Sequence, residues 1–201
     1  MRRIIKTHLL IKLLIFFFIT GTFSCGLDSD KEKKKEKDLE SLNKNIGEKF
    51  DIENFIDSSG SQIKLDFTKS EITIVDFWFN DCPPCNKEMS QFRDLIKGKD
   101  KQIIIVSISV SGYEFWKKLF TDKSDRYAFL TTSTPNWQHL NLKSNDDPKL
   151  KHIISEDRLA ELTTKLNVTF FPAYFVVNKD GIIKARPISA VEYIKQKLSF
   201  Q

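Results

Sequence analysis

Cysteine, proline and glycine are all scarce in this chain of 201 residues, at three, six and seven copies. So little proline and glycine excludes a low-complexity or collagen-like polymer. Three cysteines exclude a fold stapled by several disulfides, so each needs its own explanation. A long apolar run is missing as well. The apolar stretch near the N-terminus is uninterrupted only over the seven residues Leu13 to Ile19, and a membrane span needs ~20. Net charge is small where it matters. The formal charge is +5, but residues 1–24 hold Arg2, Arg3, Lys6 and Lys12 without an acid, which leaves +1 for the remainder. So neutral a body gives no electrostatic case for nucleic acid as a partner. What is present suits a single globular domain: 40% apolar residues, 12% aromatic, and seventeen Phe to fill a core.

The N-terminus reads as an address. A positive Arg2-Arg3-Lys6 region precedes the short apolar stretch Leu9 to Phe23, and Gly21-Thr22-Phe23-Ser24 leads into Cys25. This resembles a bacterial lipoprotein signal, although Thr22 stands where leucine is usual. The resemblance implies removal of residues 1–24, lipidation of Cys25 and attachment to a membrane by acyl chains, at ~0.8 kcal/mol per buried CH₂. In residues 28–44, six lysines balance six acids and Leu39 and Leu42 are the only large apolar side chains. Such a segment cannot offset its ordering entropy, so residues 25–45 are expected to be a flexible tether. Asp28 and Asp30 resemble the export signals of some surface lipoproteins.

From residue 46 the pattern turns globular. Phe50, Ile52 and Phe55 alternate, and Asp57-Ser58-Ser59-Gly60 reads as a hairpin turn into Ile63-Lys64-Leu65. Ile72–Phe79 and Ile103–Val110 have the near-continuous apolar character of buried strands. Between them a helix is predicted from about Cys82 to Ile96, with Met89, Phe92 and Ile96 on one face and Gly98 after it. Tyr113–Phe120 reads as helical, and Ser155 opens a helix whose stripe is Leu159, Leu162 and Leu166. Tyr174–Val177 and Ile182–Lys184 flank the turn Asn178–Gly181, and Ser189–Glu192 is a capping box for a last helix. A strand–helix–strand half followed by a hairpin and a helix gives an α/β class: a central mixed sheet flanked by helices.

The chemistry concentrates at Cys82-Pro83-Pro84-Cys85, where a buried strand gives way to a helix. The amides and dipole of a helix N-terminus favour a thiolate, so Cys82 should be more acidic than an ordinary thiol at ~8.5. Two intervening residues bring Cys85 round one turn, within disulfide reach and less exposed. Cys82 then attacks a substrate disulfide and Cys85 resolves the mixed disulfide. Zinc would need two further ligands. No other cysteine is available, and His139 and His152 have twelve residues between them instead of three to five, so no metal is expected. A purely structural disulfide closes too small a loop to stabilise much.

Val75-Asp76-Phe77-Trp78-Phe79-Asn80-Asp81-Cys82-Pro83-Pro84-Cys85, with Phe171-Pro172 further on, resembles the active-site strand and helix of the thioredoxin superfamily. The Pro-Pro pair, the signal and the N-terminal hairpin look most like its membrane-tethered TlpA/ResA-type thiol–disulfide oxidoreductases. The resemblance covers residues 46–201. It implies a thioredoxin-like fold with an N-terminal hairpin and an insertion before a cis-proline, which would be Pro172. It puts Phe171, Pro172, Pro83 and Pro84 at the substrate-binding edge, and Asp76 as a buried acid that takes up the Cys85 proton. TlpA/ResA-type proteins often carry a neutral residue there.

Two departures stand out. Asp81 replaces a tryptophan; it is expected to cap the helix amides, since otherwise its charge would disfavour a Cys82 thiolate. The 61 residues between Val110 and Pro172 exceed a minimal thioredoxin. Tyr113–Phe120 and Arg126–Leu130 are expected to supply an extra helix and strand there. Residues 131–154 read as a polar loop in which Trp137 is a core anchor and His139 and His152 are surface residues.

The functional expectation is a lipid-anchored, periplasm-facing envelope enzyme that reduces or exchanges disulfides in exported proteins. It needs no cofactor beyond the Cys82–Cys85 dithiol, and its electron donor is a membrane redox protein. The alternatives are a Sco-like copper carrier, a family with three residues between its cysteines rather than two, and a non-catalytic binding lipoprotein of the same fold. A peroxiredoxin would need Thr where Phe79 stands.

Overall fold

The computed structural model describes residues 40, 42–122, 125–131, 134–143 and 156–199. The signal, Cys25, nearly all of the tether, His152 and Ser155 lie outside them. The chain divides after Glu40, and the fold below is that of the unit Ser41–Gln201.

Seven strands form one sheet: β1 (Phe55–Ile56), β2 (Gln62–Ile63), β3 (Ile72–Trp78), β4 (Ile103–Ser109), β5 (Trp137–Leu142), β6 (Ala173–Asn178) and β7 (Ile183–Ala185), in the order β2-β1-β5-β4-β3-β6-β7. β3, β4 and β5 are mutually parallel, and the other pairings are antiparallel. Parallel neighbours require crossovers. Helix α1 (Pro83–Ile96) links β3 to β4, while α2 (Tyr113–Lys118) and α3 (Ala128–Thr131) link β4 to β5. Helices α4 (Glu156–Leu166) and α5 (Ala190–Ser199) complete the fold.

Because successive strand residues face opposite ways, the sheet carries two cores. On one face Ile74, Trp78 and Ile105 pack against Cys85, Met89, Phe92 and Ile96 of α1, Trp116 of α2 and Ile194 of α5. On the other, Val75, Phe77, Ile108 and Phe175 pack against Leu162 and Leu166 of α4 and against Phe50 and Ile52. Met89, Phe92 and Ile96 are fully buried, each contributing roughly 1.5–3 kcal/mol.

Several expectations need correction. The alternation of Phe50, Ile52 and Phe55 buries all three, but only Phe55 lies in a strand. The Phe50 amide instead bonds Gly181 O at 2.9 Å. Residues 126–130 are helical, a 3₁₀ turn Asp125–Tyr127 running into α3, and the extra strand is β5, inside the supposed loop. Both faces of β5 are covered, so its inward polar residues masked it. Asn141, for example, is buried and donates to Ser109 O and Ser111 O at 3.2 and 2.7 Å. The stripe on α4 includes Arg158 in place of Leu159. The two turns form as read: Asp57 Oδ1 accepts the amides of Ser59 and Ser61 at 2.9 and 3.0 Å, and Asn178 Oδ1 accepts that of Ile182 at 2.8 Å.

Candidate active site

Strand β3 delivers the chain to the N-terminus of α1, where Cys82 is the N-cap. Pro83 and Pro84 occupy the first two helical positions. Proline suits these positions because their amides have no intrahelical partner. Of the first three positions only Cys85 therefore offers an N–H, and it donates to Cys82 Sγ at 3.4 Å. The two sulfurs form a disulfide across a Cα–Cα distance of 5.3 Å. Both cysteines are buried, Cys82 at 1% exposure and Cys85 at 0%, while Pro83 and Pro84 are exposed beside them. The Phe171–Pro172 bond is cis. The Phe171 ring stands edge-on to Phe79 at 5.5 Å, and Phe171 and Pro172 are both half-buried.

Asp76 sits on β3, on the sheet face that carries α1. It is fully buried, and burial raises its pKa from 3.8 to about 7. A hydrogen bond from Ser107 opposes the rise, and the charge of Glu88 adds to it. Ser107 is the parallel partner of Asp76 on β4, and its Oγ donates to Asp76 Oδ2 at 2.9 Å. Trp137 Nε1 in turn donates to Ser107 Oγ at 2.9 Å. The register thus lines up Tyr174, Asp76, Ser107 and His139 as one polar row across four strands. Burial and the Asp76 charge push the Tyr174 hydroxyl's pKa up. Such a row on an apolar face makes protonation of Asp76 the group's adjustable quantity near neutral pH.

Two expectations about single residues are overturned. Asp81 does not cap α1. It adopts a left-handed φ of 62° and turns to Arg126, whose Nη1 is 2.7 Å from its Oδ1. His139 is not a surface residue. Both ring nitrogens are buried, its ring lies 4.6 Å from that of Trp137, and burial pushes its pKa down to about 3. Trp137 is the core anchor expected, at 6% exposure.

Sequence reading missed Ser107, hidden in an apolar strand, and Glu88. Glu88 lies three residues after Cys85 on one helix face, a spacing that could have found it. Its Oε2 accepts the Ala190 and Val191 amides at 2.9 and 3.3 Å, capping α5. Among the described residues no group of three or more His, Cys, Asp and Glu is placed to hold a metal ion.

Comparison with known proteins gives one pattern. A family model described as Redoxin matches residues 45–193. Thiol-disulfide oxidoreductase ResA of Bacillus cereus is 25% identical over 200 residues, covering 96% of this chain and 94% of that protein. ResA of Bacillus anthracis is 24% identical over the same shares. Among solved structures, a thiol:disulfide interchange protein from Bacteroides sp. superposes with a TM-score of 0.57 at 22% identity, over 80% of this chain and 91% of that one. The thioredoxin domain of a thiol-disulfide oxidoreductase from Bacteroides vulgatus gives 0.53 at 20% identity, over 77% and 96%.

Proposed function

The chain belongs to the Redoxin family and is a thioredoxin-like thiol–disulfide oxidoreductase of the ResA-like kind; on that premise we propose that it reduces or exchanges disulfides in exported proteins of the cell envelope, tethered by lipid on Cys25. The observation that carries the reading is the Cys82–Cys85 disulfide at the head of α1, on the sheet face that buries the titratable carboxyl of Asp76.

The cycle starts from the dithiol. The Cys82 thiolate attacks one sulfur of a substrate disulfide, the substrate S–S bond breaks, and the departing substrate sulfur takes a proton. Cys85 then gives its proton to Asp76, which at a pKa of about 7 is poised to accept it near neutral pH. The Cys85 thiolate attacks Cys82 Sγ and expels the second substrate thiolate, leaving the Cys82–Cys85 disulfide. The substrate gains two electrons and the enzyme loses two. A dithiol redox protein in the membrane returns them, and no other cofactor is needed. Phe171, Pro172, Pro83 and Pro84 form the apolar edge against which the substrate chain lies.

The envelope setting rests on the Arg2–Cys25 signal. Among the described residues no helix is long and apolar enough to cross a membrane. The test is trapping in the native host. Cys85→Ser cannot resolve, so it should accumulate mixed disulfides with exported proteins that a reductant releases, and labelled fatty acid should enter the chain unless Cys25 is Ser. Adducts that persist when Cys82 is also replaced, or partners confined to the cytoplasm, would overturn the proposal.

A further inference from the structure

Asp81 poses a physical problem. It places a carboxylate immediately before the reactive cysteine, and Pro83 and Pro84 have removed two of the amides that would otherwise offset it. The answer lies in the segment between β4 and β5. Arg126 Nη1 meets Asp81 Oδ1 at 2.7 Å. The neighbouring Tyr127 closes a ring on the same residue: its hydroxyl accepts the Asp81 amide at 3.2 Å and donates to Asp81 Oδ1 at 3.2 Å. Arg126 also lies over the Tyr127 ring, 5.2 Å from its centre. Tyr127 is buried at 4% exposure, so the ring of contacts is anchored in the core. The left-handed backbone of Asp81, with a φ of 62°, is a conformation few side chains adopt without local hydrogen bonds, and Tyr127 supplies them to both its backbone and its carboxylate.

We propose that Arg126 and Tyr127 form a clamp on Asp81, in which Arg126 cancels the carboxylate's charge beside Cys82 and Tyr127 fixes where it points, so that the Cys82 thiolate stays favoured. Arg126 is a positioning residue: it touches neither sulfur nor substrate and acts by offsetting the charge of Asp81. The clamp gives the long β4–β5 crossover a role in the chemistry. The proposal rests on Cys82 being the attacking cysteine, and the test separates the two claims. Two further acids, Asp76 on β3 and Glu88 on α1, interact with one another. They are the same in every variant below and cancel in the comparison.

Electrostatics predicts a series with alternating sign. Arg126→Gln leaves a net negative charge beside Cys82, Asp81→Asn leaves a net positive one, and the double variant is neutral like the parent. The experiment uses the full chain carrying Cys85→Ser. It measures iodoacetamide alkylation against pH, with the labelled cysteine identified by peptide mass. Arg126→Gln should raise the Cys82 pKa by about half a unit or more at low salt. Asp81→Asn should lower it, and the double variant should return close to the parent. Both shifts should shrink in 0.5 M salt, because the pair is about half exposed, at 48% and 47%. Circular dichroism and the unfolding midpoint report whether each variant is folded.

A folded Arg126→Gln with an unmoved Cys82, or a double variant whose Cys82 stays as far from the parent as that of either single variant, overturns the clamp. If Arg126→Gln fails to fold, Asp81→Asn decides alone, since an unchanged Cys82 there is equally fatal. A parent in which Cys82 titrates like an ordinary thiol, at about 8.5, overturns the assignment of Cys82 as nucleophile, and the clamp with it.

Discussion

Replacing Asp76 by Asn should change how stability depends on pH, by an amount set by the site. Asp76 is fully buried, with Oδ2 on the Ser107 hydroxyl and its pKa raised by burial from 3.8 to about 7. The folded protein therefore keeps this proton over a range where the unfolded chain has released it. The contribution is fully present below about pH 4 and is lost as pH rises to about 7. Some three pH units at ~1.4 kcal/mol each amount to about 4 kcal/mol. The Asp76→Asn variant cannot ionise. Its stability minus that of the wild type should thus climb by about 4 kcal/mol between pH 4 and pH 8. The amide's own hydrogen bonding adds an offset, but one that does not vary with pH. The assay is guanidinium unfolding of both proteins with the disulfide oxidised, in half-unit steps over that range. Every other titration is common to the two and cancels. A difference that stays flat, or falls as pH rises, would refute the burial argument.

The partners of Asp76 should move the same midpoint in opposite directions. Ser107→Ala removes a hydrogen bond to the carboxylate and should shift the inflection upward, whereas Glu88→Gln removes a nearby negative charge and should shift it downward; both are read from the same unfolding series. Resolution by Cys85, followed as release of the second thiol from a mixed disulfide, should lose its inflection near pH 7 in Asp76→Asn. Phe92→Ala should cost about 3–5 kcal/mol by chemical denaturation. The ring is fully buried and edge-on to both Trp137 and Tyr174, at 5.6 and 6.4 Å.

The parts of the fold that a reader can take from the sequence are those whose signal is local. β3 and α1 announce themselves by an apolar run ending in Cys-Pro-Pro-Cys, and the Asn178–Gly181 turn by its residue types. Phe171-Pro172 is recognisable only through the family resemblance. The rest is settled at a distance. β5 carries Gln138, His139 and Asn141, which read as a loop until Ser109 and Ser111 supply carbonyls for Asn141 and the rings of Trp137 and Phe120 flank His139. Asp81 is a good N-cap residue by type, yet Arg126 and Tyr127, more than forty positions away, draw it off. Ser107 is invisible as a functional residue because its importance lies in register: only pairing of β3 with β4 sets it against Asp76.

The central claim is that Cys82 and Cys85 form a reversible two-electron couple. The most direct measurement is the equilibrium of the full chain with glutathione buffers, read as the fraction of the Cys82–Cys85 disulfide, with Cys82→Ser and Cys85→Ser alongside. The account predicts a single couple that both variants abolish. A potential near or below about −220 mV would mark a reductase, and one near −120 mV an oxidant or isomerase. A dithiol that shows no reversible couple, or a couple that survives either substitution, would contradict it.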